Sequence, residues 1–359
     1  MPALYVTSIQ TFSGKTAICL GLGRQMQADG FRVGYFKPLG TQPREVQAGQ
    51  YYDEDALFAR QVLGLSEPVE VLAPICLSPQ FIEQQFAGST KDLTTVVVEA
   101  FNTTRQDKDV VIVEGGASLR EGYAASLATP KVAKMLGAPV LAVVRYDGDV
   151  QVIDDALSAH ARLGDQLTGV VINNVPESSL RFAREVAAVF LERRRVNVYG
   201  VLPEDSRLSA TSIGEIAEAA DGQFLCCADK CDELVENMTV GAMSAEEARE
   251  RLSRIPNKAV ITGGDRADML AAALDVSARL VILTGNLMPQ PDLVQRAENM
   301  GVPIVLVPYD TMQTVGRIER FFGKGRLAQQ EKLARFKTLL SEHFDFKRFY
   351  QRIGLEMRG

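Results

Sequence analysis

Residues 8–16 have the sequence SIQTFSGKT, a short polar segment that ends in Gly-Lys-Thr. It follows an apolar run over residues 3–7, which predicts a buried strand, and it leads into a helical pattern over residues 16–22. A strand, a loop ending in Gly-Lys-Thr and a helix, in this order, are typical of a phosphate-binding loop. The segment therefore predicts a nucleotide-phosphate site close to the N-terminus.

Each residue type in this loop has a physical reason to be there. Backbone N–H groups at a helix start point toward an anion, and Gly14 lets the backbone approach it without a Cβ. Lys15 is expected to place its ammonium on the outer phosphates, and Thr16 to bind Mg2+ through its hydroxyl. The usual leading glycine is absent, because Ser8 or Ile9 stands at that position. The alternative is an ordinary strand-to-helix turn with a solvated lysine.

The composition is that of a globular protein, with 46% hydrophobic and 23% charged residues in a chain of 359. This length is enough for two domains. A formal net charge of −6, with no dominant block of Lys or Arg, argues against nucleic-acid binding. No apolar run reaches the roughly 20 residues of a membrane helix, and the N-terminus has no signal-peptide pattern. We expect a cytoplasmic protein that binds neither nucleic acid nor membrane.

Five cysteines, an odd number, predict free thiols in a reducing compartment. Cys226, Cys227 and Cys231 cluster, and zinc is the alternative interpretation of that cluster. The chain offers no second cysteine pair, and its only histidines are His160 and His343. This supply of ligands favours structural thiols over a metal site.

Strand patterns alternate with helical patterns along the chain, which predicts an α/β fold with a doubly wound parallel sheet. In the first part, strands are expected near residues 31–37, 109–114, 139–144, 167–172 and 198–202. Residues 69–75 are also expected to be extended, residues 40–50 to form a mobile polar loop, and residues 53–63 to be helical. A polar stretch over 204–212 separates a second, smaller alternation. We expect a P-loop domain over 1–205, a smaller α/β domain over 206–322 and a helical tail over 323–359.

The tail has an amphipathic pattern over residues 328–340. Its apolar stripe contains Leu333, Phe336, Leu339 and Leu340. A helix packed on the rest of the chain and a dimer contact both explain this stripe.

Polar residues fall at the expected carboxyl ends of the strands, where open parallel sheets bind ligands. They are Lys15, Thr16, Lys37, Thr41, Glu114, Asn173, Pro203 and Glu204. Mg2+ prefers oxygen ligands, so Glu114 and either Asp53 or Asp55 are candidates. Lys37 is suited to neutralise charge on a transferring phosphoryl group. The amide of Asn173 can donate to and accept from an adenine edge.

Several segments carry a family resemblance. They are TFSGKT (11–16), GYFKP (34–38), VEGG (113–116), VINN (171–174), GVLP (200–203), VGAMS (240–244) and ITGGDRAD (261–268). Through them, the first ~205 residues resemble dethiobiotin synthetase and its relatives among the cobyrinate amidases, and residues near 206–320 resemble the DRTGG domain. Together the two parts resemble the N-terminal half of long bacterial phosphate acetyltransferases, which precedes the acetyl-transfer domain.

The resemblance implies ATP and Mg2+ as cofactors, an unknown small-molecule substrate or effector, and a homodimer. The implied nucleotide contacts are Thr11, Ser13, Gly14, Lys15, Thr16, Asn173 and Pro203. The implied Mg2+ ligands are Thr16, Asp55 and Glu114. The implied catalytic residues are Lys37 and Lys15, and the implied substrate contacts are Thr41, Gly115 and Gly116.

The chain departs from this family pattern in its loop. The loop of dethiobiotin synthetase begins with glycine and carries acidic residues, whereas this chain has Ser8, Gln10 and Phe12. The ring of Phe12 counts against the biotin-pathway reaction itself. Some 40 residues follow the second domain, too few for an acetyl-transfer domain. Acetyl transfer by this chain alone is therefore not expected.

The second domain contains the segment TGGDR over residues 262–266. Gly263 and Gly264 permit a tight turn, and the N–H groups that follow would bind an anion. Asp265 is expected to cap the next helix, and Arg266 to hold a carboxylate or phosphate. An effector or subunit-contact site is one interpretation, and plain turn chemistry is the other.

Three functions are compatible with these patterns. The first is an ATP–Mg2+-binding P-loop protein with a sensing or regulatory role linked to acetyl-phosphate or acyl-CoA metabolism. The second is an ATP-dependent ligase that phosphorylates a small carboxylate or carbamate, for which Lys37 is the key residue. The third is a scaffold whose nucleotide site has decayed, as the missing loop glycine suggests.

Overall fold

The computed structural model describes residues 3–11, 13–41, 43–47, 50–87, 92–116, 118–319 and 330–356. Phe12, and residues 323–329 of the expected tail, lie outside the described residues. The chain divides into two compact units: residues 1–204 together with 333–359, and residues 205–332. None of the described helices combines the length and the apolar character that a bilayer crossing requires.

The first unit is built on a six-stranded parallel sheet with the order β2-β5-β1-β6-β7-β8. The strands of this unit are β1 Ala3–Ser8, β2 Val33–Phe36, β3 Pro43–Gln47, β4 Gln50–Asp53, β5 Val110–Glu114, β6 Val140–Arg145, β7 Leu167–Val175 and β8 Val198–Pro203. All residues of β1 and β5 are buried, as expected for a sheet covered on both faces. The predicted doubly wound α/β sheet is confirmed.

Helices cover both faces of this sheet. They are α1 Lys15–Ala28, α2 Glu54–Leu63, α3 Val69–Leu72, α4 Pro79–Phe86, α5 Leu93–Thr104, α6 Thr129–Leu136, α7 Asp149–Leu163, α8 Leu180–Phe182 and α9 Ala188–Arg193. A π-helical stretch, Ala183–Ala187, joins α8 to α9. Because every strand pair in the sheet is parallel, each connection must cross back over the sheet, and most of these crossings contain a helix.

Two local predictions in this unit are wrong. Residues 69–75 were expected to be extended, but α3 forms because Val69 and Leu72, three residues apart, both turn into the core. Residues 40–50 were expected to be a loop, but β3 and β4 form an antiparallel hairpin that pairs Arg44 with Tyr52 and Glu45 with Tyr51. Cross-strand pairs of this kind stabilise a hairpin. The polar composition of the segment had indicated a loop.

The second unit contains a five-stranded sheet with the order β10-β15-β14-β13-β12, in which the edge strand β10 is antiparallel to β15. The strands of this unit are β9 Thr211–Ser212, β10 Gln223–Cys226, β11 Leu234–Val235, β12 Asn237–Val240, β13 Lys258–Gly263, β14 Leu280–Thr284 and β15 Ile304–Leu306. The helices that lie wholly within it are α10 Ser206–Ser209, α11 Ile213–Ala219, α12 Ala245–Ser253, α13 Ala267–Asp275, α14 Pro291–Met300 and α15 Thr311–Glu319. Parallel strands β12 to β15 give this unit its own α/β core.

The tail is helical, as predicted, and forms α16 Gln330–His343 and α17 Phe346–Ile353. Phe336, Leu339 and Leu340 of the predicted stripe are buried. The ring of Phe349 is fully buried, 5.0 Å from Tyr199 of β8 between ring centroids. These contacts lie within the first unit and support the packing interpretation of the stripe.

We predict that Phe349→Ala destabilises the first unit. The lost ring leaves a cavity, which should lower the unfolding free energy by about 3–5 kcal/mol. Native-state hydrogen exchange of the β8 amides measures this change. The control Lys347→Ala alters an exposed residue of the same helix and should stay within about 0.5 kcal/mol of wild type. Equal exchange in both variants would contradict the packed tail.

Candidate functional site

The strand order places the loop after β1 at the reversal point of the first sheet. The chain runs from β1 to β2 on one side of the sheet, and after β5 it crosses to β6, β7 and β8 on the other side. Open α/β sheets bind ligands beyond the carboxyl ends of the strands at such a reversal. The loop of residues 8–16 therefore begins where a ligand is expected.

Gly14 shapes the start of α1. Its backbone is left-handed (φ 86°, ψ 22°), and it is the N-cap residue of the helix. A Cβ at this position would lie 2.5 Å from Nδ2 of Asn173. That same Nδ2 donates a hydrogen bond of 2.9 Å to the carbonyl oxygen of Ser13. Glycine is thus required both by the backbone angle and by the close approach of Asn173. The hydrogen bond from Asn173 connects the loop to β7.

Lys15 is buried against the loop that precedes it, with only 8% of the residue exposed. Its Nζ donates to Oγ of Ser8 at 3.0 Å. Burial lowers the pKa of Lys15, while the nearby Glu114 carboxylate opposes that shift. An anion bound at Nζ would favour the charged form of Lys15 and so oppose the effect of burial on its pKa.

Glu114 is the central carboxylate of the site. It ends β5, directly beside β1, and is almost fully buried. Its Oε1 accepts from the Thr16 hydroxyl at 2.7 Å, and its Oε2 accepts from the Tyr35 hydroxyl at 2.8 Å. Burial raises the pKa of Glu114, and the positive charge of Lys37 opposes this shift. Both oxygens are therefore held by hydroxyl groups, with the charges of Lys37, Asp55 and Lys15 acting on the carboxylate from nearby.

Lys37, 2% exposed, lies between two carboxylates. Its Nζ is 3.0 Å from Oδ1 of Asp53 and also contacts Oδ2 of Asp55. Burial alone would lower the pKa of Lys37, but the surrounding carboxylates, first among them Glu114, outweigh burial and raise it. The ammonium is consequently charged and fixed in place.

The two aspartates differ in what else they do. Asp53 is fully buried and caps α2, since its Oδ1 accepts from the N–H of Ala56 at 3.1 Å. Burial raises the pKa of Asp53, although Lys37 lowers it. Asp55 keeps 18% of its side chain exposed. Of the two candidate Mg2+ ligands, Asp55 is therefore the one that a solvated ion reaches.

The other predicted site residues lie around this network. Hydrogen bonds and ion pairs join Thr16 to Glu114, Lys37 to Asp53 and Asp55, and Asn173 to Ser13. The charges of Lys15 and Lys37 act on Glu114, which relates these groups electrostatically. Thr11 is exposed, Thr41 is half-buried and Pro203 ends β8. Gly115 and Gly116 form the chain segment directly after Glu114, and the Gly115 N–H donates to Val6 O at 2.9 Å. Within the described part of the chain, no side-chain hydrogen bond or ion pair links Thr11, Thr41 or Pro203 to these groups.

Sequence reasoning missed Tyr35 and the role of Ser8. Tyr35 lies two residues before Lys37, and side chains two residues apart on a strand share a face. This spacing could have indicated that Tyr35 lies on the same side of the sheet as Lys37. Ser8 appeared only as the residue that stands where glycine is usual. In the structure its hydroxyl oxygen accepts a hydrogen bond from Nζ of Lys15, and its hydroxyl donates to the carbonyl oxygen of Gln10 at 2.7 Å.

The segment TGGDR of the second unit is built as a turn. The N-cap residue of α13 is Arg266, so the prediction that Asp265 caps this helix is wrong. Gly264 is packed so tightly that a Cβ would lie 1.8 Å from the carbonyl oxygen of Leu287. The Arg266 guanidinium donates twice to Asp268 at 2.8 Å and lowers the pKa of that carboxyl to about 2. Gly263 ends β13 just before this turn. These contacts favour turn chemistry.

The cysteines form no disulfide, since all five are free thiols. Cys226 is buried, with Sγ 3.5 Å from the carbonyl oxygen of Val302. Across the described ranges, no group of three or more Asp, Glu, His or Cys side chains is arranged to hold a metal. A P-loop Mg2+ does not need such a group, because water and phosphate supply most of its ligands.

The chain has relatives among known proteins. The phosphate acetyltransferase of Nitrosomonas europaea is 24% identical over 371 residues, covering 99% of this chain and 52% of that protein. The phosphate acetyltransferase of Synechocystis is 25% identical over 335 residues, covering 88% of this chain and 47% of that protein. The chain thus spans about half the length of the curated relatives it matches.

A solved structure of septum site-determining protein MinD from Pyrococcus horikoshii, complexed with Mg-ADP, has a TM-score of 0.38 at 16% identity. It covers 58% of this chain and 83% of the other. A similarity this low carries no argument.

Family comparison divides the chain into two parts. Residues 215–321 match the DRTGG domain, and residues 2–212, more than half of the chain, match the AAA domain family AAA_26. A P-loop domain is therefore followed by a DRTGG domain in a chain related to phosphate acetyltransferase. By the larger of these two matches, the chain belongs to the AAA domain family AAA_26.

Proposed function

We propose that the first unit binds ATP with Mg2+ at the carboxyl edge of its sheet. The observation that carries this proposal is the Thr16–Glu114 hydrogen bond at the end of a glycine-initiated helix that also presents Lys15. A hydroxyl and a carboxylate in contact, next to a helix N-terminus, supply what a metal–phosphate complex needs: oxygen ligands for the ion and N–H groups for the phosphates.

The residues present fit both cofactors. Gly14 carries no Cβ and so allows the Asn173 amide, which would lie 2.5 Å from such an atom, to approach the loop. Ser13 carries a buried hydroxyl oxygen with no hydrogen-bond partner among the described residues, and an added acceptor or donor would satisfy it. Thr16, Glu114 and the partly exposed Asp55 offer the hard oxygen atoms that Mg2+ prefers. When bound, Mg2+ would neutralise phosphate charge.

The charges of the site support binding of the metal complex rather than of the free nucleotide. Two lysines, Lys15 and Lys37, face three carboxyl groups, those of Asp53, Asp55 and Glu114. A bare triphosphate would bring further negative charge to Glu114 and Asp55. Mg2+ removes that conflict by lying between the carboxylates and the phosphates.

We further propose a sensing or regulatory role linked to acetyl-phosphate or acyl-CoA metabolism. It is supported by the combination of a P-loop domain with a DRTGG domain and by the phosphate acetyltransferases among the relatives. The free thiols are compatible with a cytoplasmic location. A homodimer stays a prediction from the resemblance, and an effector or subunit-contact site at residues 263–266 stays a prediction from the residue types of that segment.

One observation favours the alternative, an ATP-dependent ligase acting on a small carboxylate or carbamate. Lys37 is a buried, charged ammonium at the same edge as Lys15. Its bond to Asp55 can be exchanged for a phosphoryl or carboxylate oxygen, because Asp55 has access to solvent. A purely structural lysine would not require a partner that is open to solvent at the edge where ligands bind.

We predict that Thr16→Ala removes the benefit of Mg2+ for ATP binding. Without the hydroxyl, the ion loses one protein ligand, so the gain in ATP affinity on adding Mg2+ should fall at least tenfold, about 1.4 kcal/mol. Titration calorimetry with and without Mg2+ measures that gain. The control Thr103→Ala removes an exposed threonine hydroxyl that bonds only its own helix. An unchanged Mg2+ effect in Thr16→Ala would contradict the assignment.

We predict that Lys37→Ala separates the two functions. If the chain is a ligase, the variant should lose ATP turnover while ATP–Mg2+ binding stays within about threefold of wild type, since Lys15 and the loop amides remain. A coupled phosphate-release assay and calorimetry measure the two quantities. Equal turnover in variant and wild type would remove Lys37 from catalysis. Absence of turnover in wild type, with binding intact, would favour the sensing role.

A further inference from the structure

Gln10 lies in the loop that follows β1, and both polar atoms of its carboxamide are hydrogen-bonded. Its Nε2 donates to Oδ2 of Asp155 at 2.6 Å and to Oδ2 of Asp147 at 3.0 Å. Its Oε1 accepts from the backbone N–H of Arg145 at 3.1 Å. Both amide hydrogens and the amide oxygen therefore have protein partners, which fixes the side chain in one orientation.

Asp155 is an unusual partner for such a loop. It lies on α7 and is buried, with 7% of the residue exposed. Its Oδ2 accepts from Gln10, and its Oδ1 accepts from Nε2 of Gln151 at 3.1 Å. Asp147, in contrast, pairs with the guanidinium of Arg145 at 2.7 Å. A buried carboxylate held by carboxamides requires those donors to stay in place.

A chain of hydrogen bonds leads from this pair to the loop lysine. The Ser8 hydroxyl donates to the Gln10 carbonyl oxygen at 2.7 Å. With its proton directed there, Oγ of Ser8 presents lone pairs to Nζ of Lys15, 3.0 Å away. The position of Gln10 thus determines the orientation of the Ser8 hydroxyl and the resting position of Lys15.

We propose that Gln10 and Asp155 are positioning residues of the phosphate-binding loop, through which helix α7 holds the loop, Ser8 and Lys15 in the geometry that receives phosphate. Neither residue touches the nucleotide in this account. The inference rests on the proposed function for its effect on ATP, while its effect on the loop itself is independent of any ligand.

The arrangement explains why residue 10 is an amide here. A carboxylate at this position would face two carboxylates, those of Asp147 and Asp155, and could donate to neither. An amide of the same shape donates to both. The identity of residue 10 is therefore tied to an aspartate on α7, 145 positions further along the chain.

The test is a swap of the two groups, with Gln10→Glu, Asp155→Asn and the double variant. Gln10→Glu should raise the hydrogen-exchange rates of amides 13–18 at least tenfold in nucleotide-free protein and weaken ATP–Mg2+ binding at least tenfold. The double variant restores an amide–carboxylate pair at residues 10 and 155 but leaves Asp147 beside a carboxylate, so it should recover part of both losses. The control Asp154→Asn changes an exposed carboxylate of the same helix and should alter neither quantity. Thermal unfolding, measured in parallel, shows that each variant is folded at the temperature of the exchange and binding measurements.

The outcomes separate this inference from the proposed function. Unchanged loop exchange in Gln10→Glu, or a double variant no better than the single one, would overturn the positioning role. Faster loop exchange that the double variant reverses in part would support it, even if wild type bound no ATP–Mg2+. In that last case only the proposed function would fail.

Discussion

The first unit depends on a buried carboxylate that its neighbours have to satisfy. Glu114 ends strand β5 beside β1 and is 1% exposed, so bulk solvent does not reach it. An unpaired charge there would be costly, so the chain surrounds it with two hydroxyl donors, Thr16 and Tyr35. The buried ammonium of Lys37 adds an opposite charge. This requirement orients the first turn of α1 relative to β5 and β2.

The same requirement explains why the lysines of the site are restrained. Lys37 is held by Asp53, which caps α2, and by Asp55, which follows it in the first turn of that helix. Lys15 is held by Ser8, whose hydroxyl is oriented by Gln10. An incoming anion therefore exchanges protein contacts for its own instead of ordering free side chains. Such preorganisation lowers the entropic cost of binding.

Much of this arrangement follows from sequence, because its parts are local. The buried runs of β1 and β5, the Gly-Lys-Thr ending, and polar residues after strands fix the sheet, the loop and the edge where Lys37 and Glu114 meet. Other features depend on pairs distant in sequence. The bond between Gln10 and Asp155 is one of these, and so is the strand pairing that turns a polar segment into the hairpin β3–β4. The spacing of residues along the chain does not predict contacts of this kind.

The cap of α13 was missed for a different reason. Asp265 is a residue type favoured at helix N-caps, but the turn places the N-cap one residue later, at Arg266.

The most direct test of the account is a crystal structure of the chain with a non-hydrolysable ATP analogue and Mg2+. We predict phosphates on the amides of residues 13–16 and on Nζ of Lys15, with the Thr16 hydroxyl turned from Glu114 toward the metal ion. A nucleotide bound elsewhere, with the Thr16–Glu114 hydrogen bond intact and no metal beside it, would contradict the account.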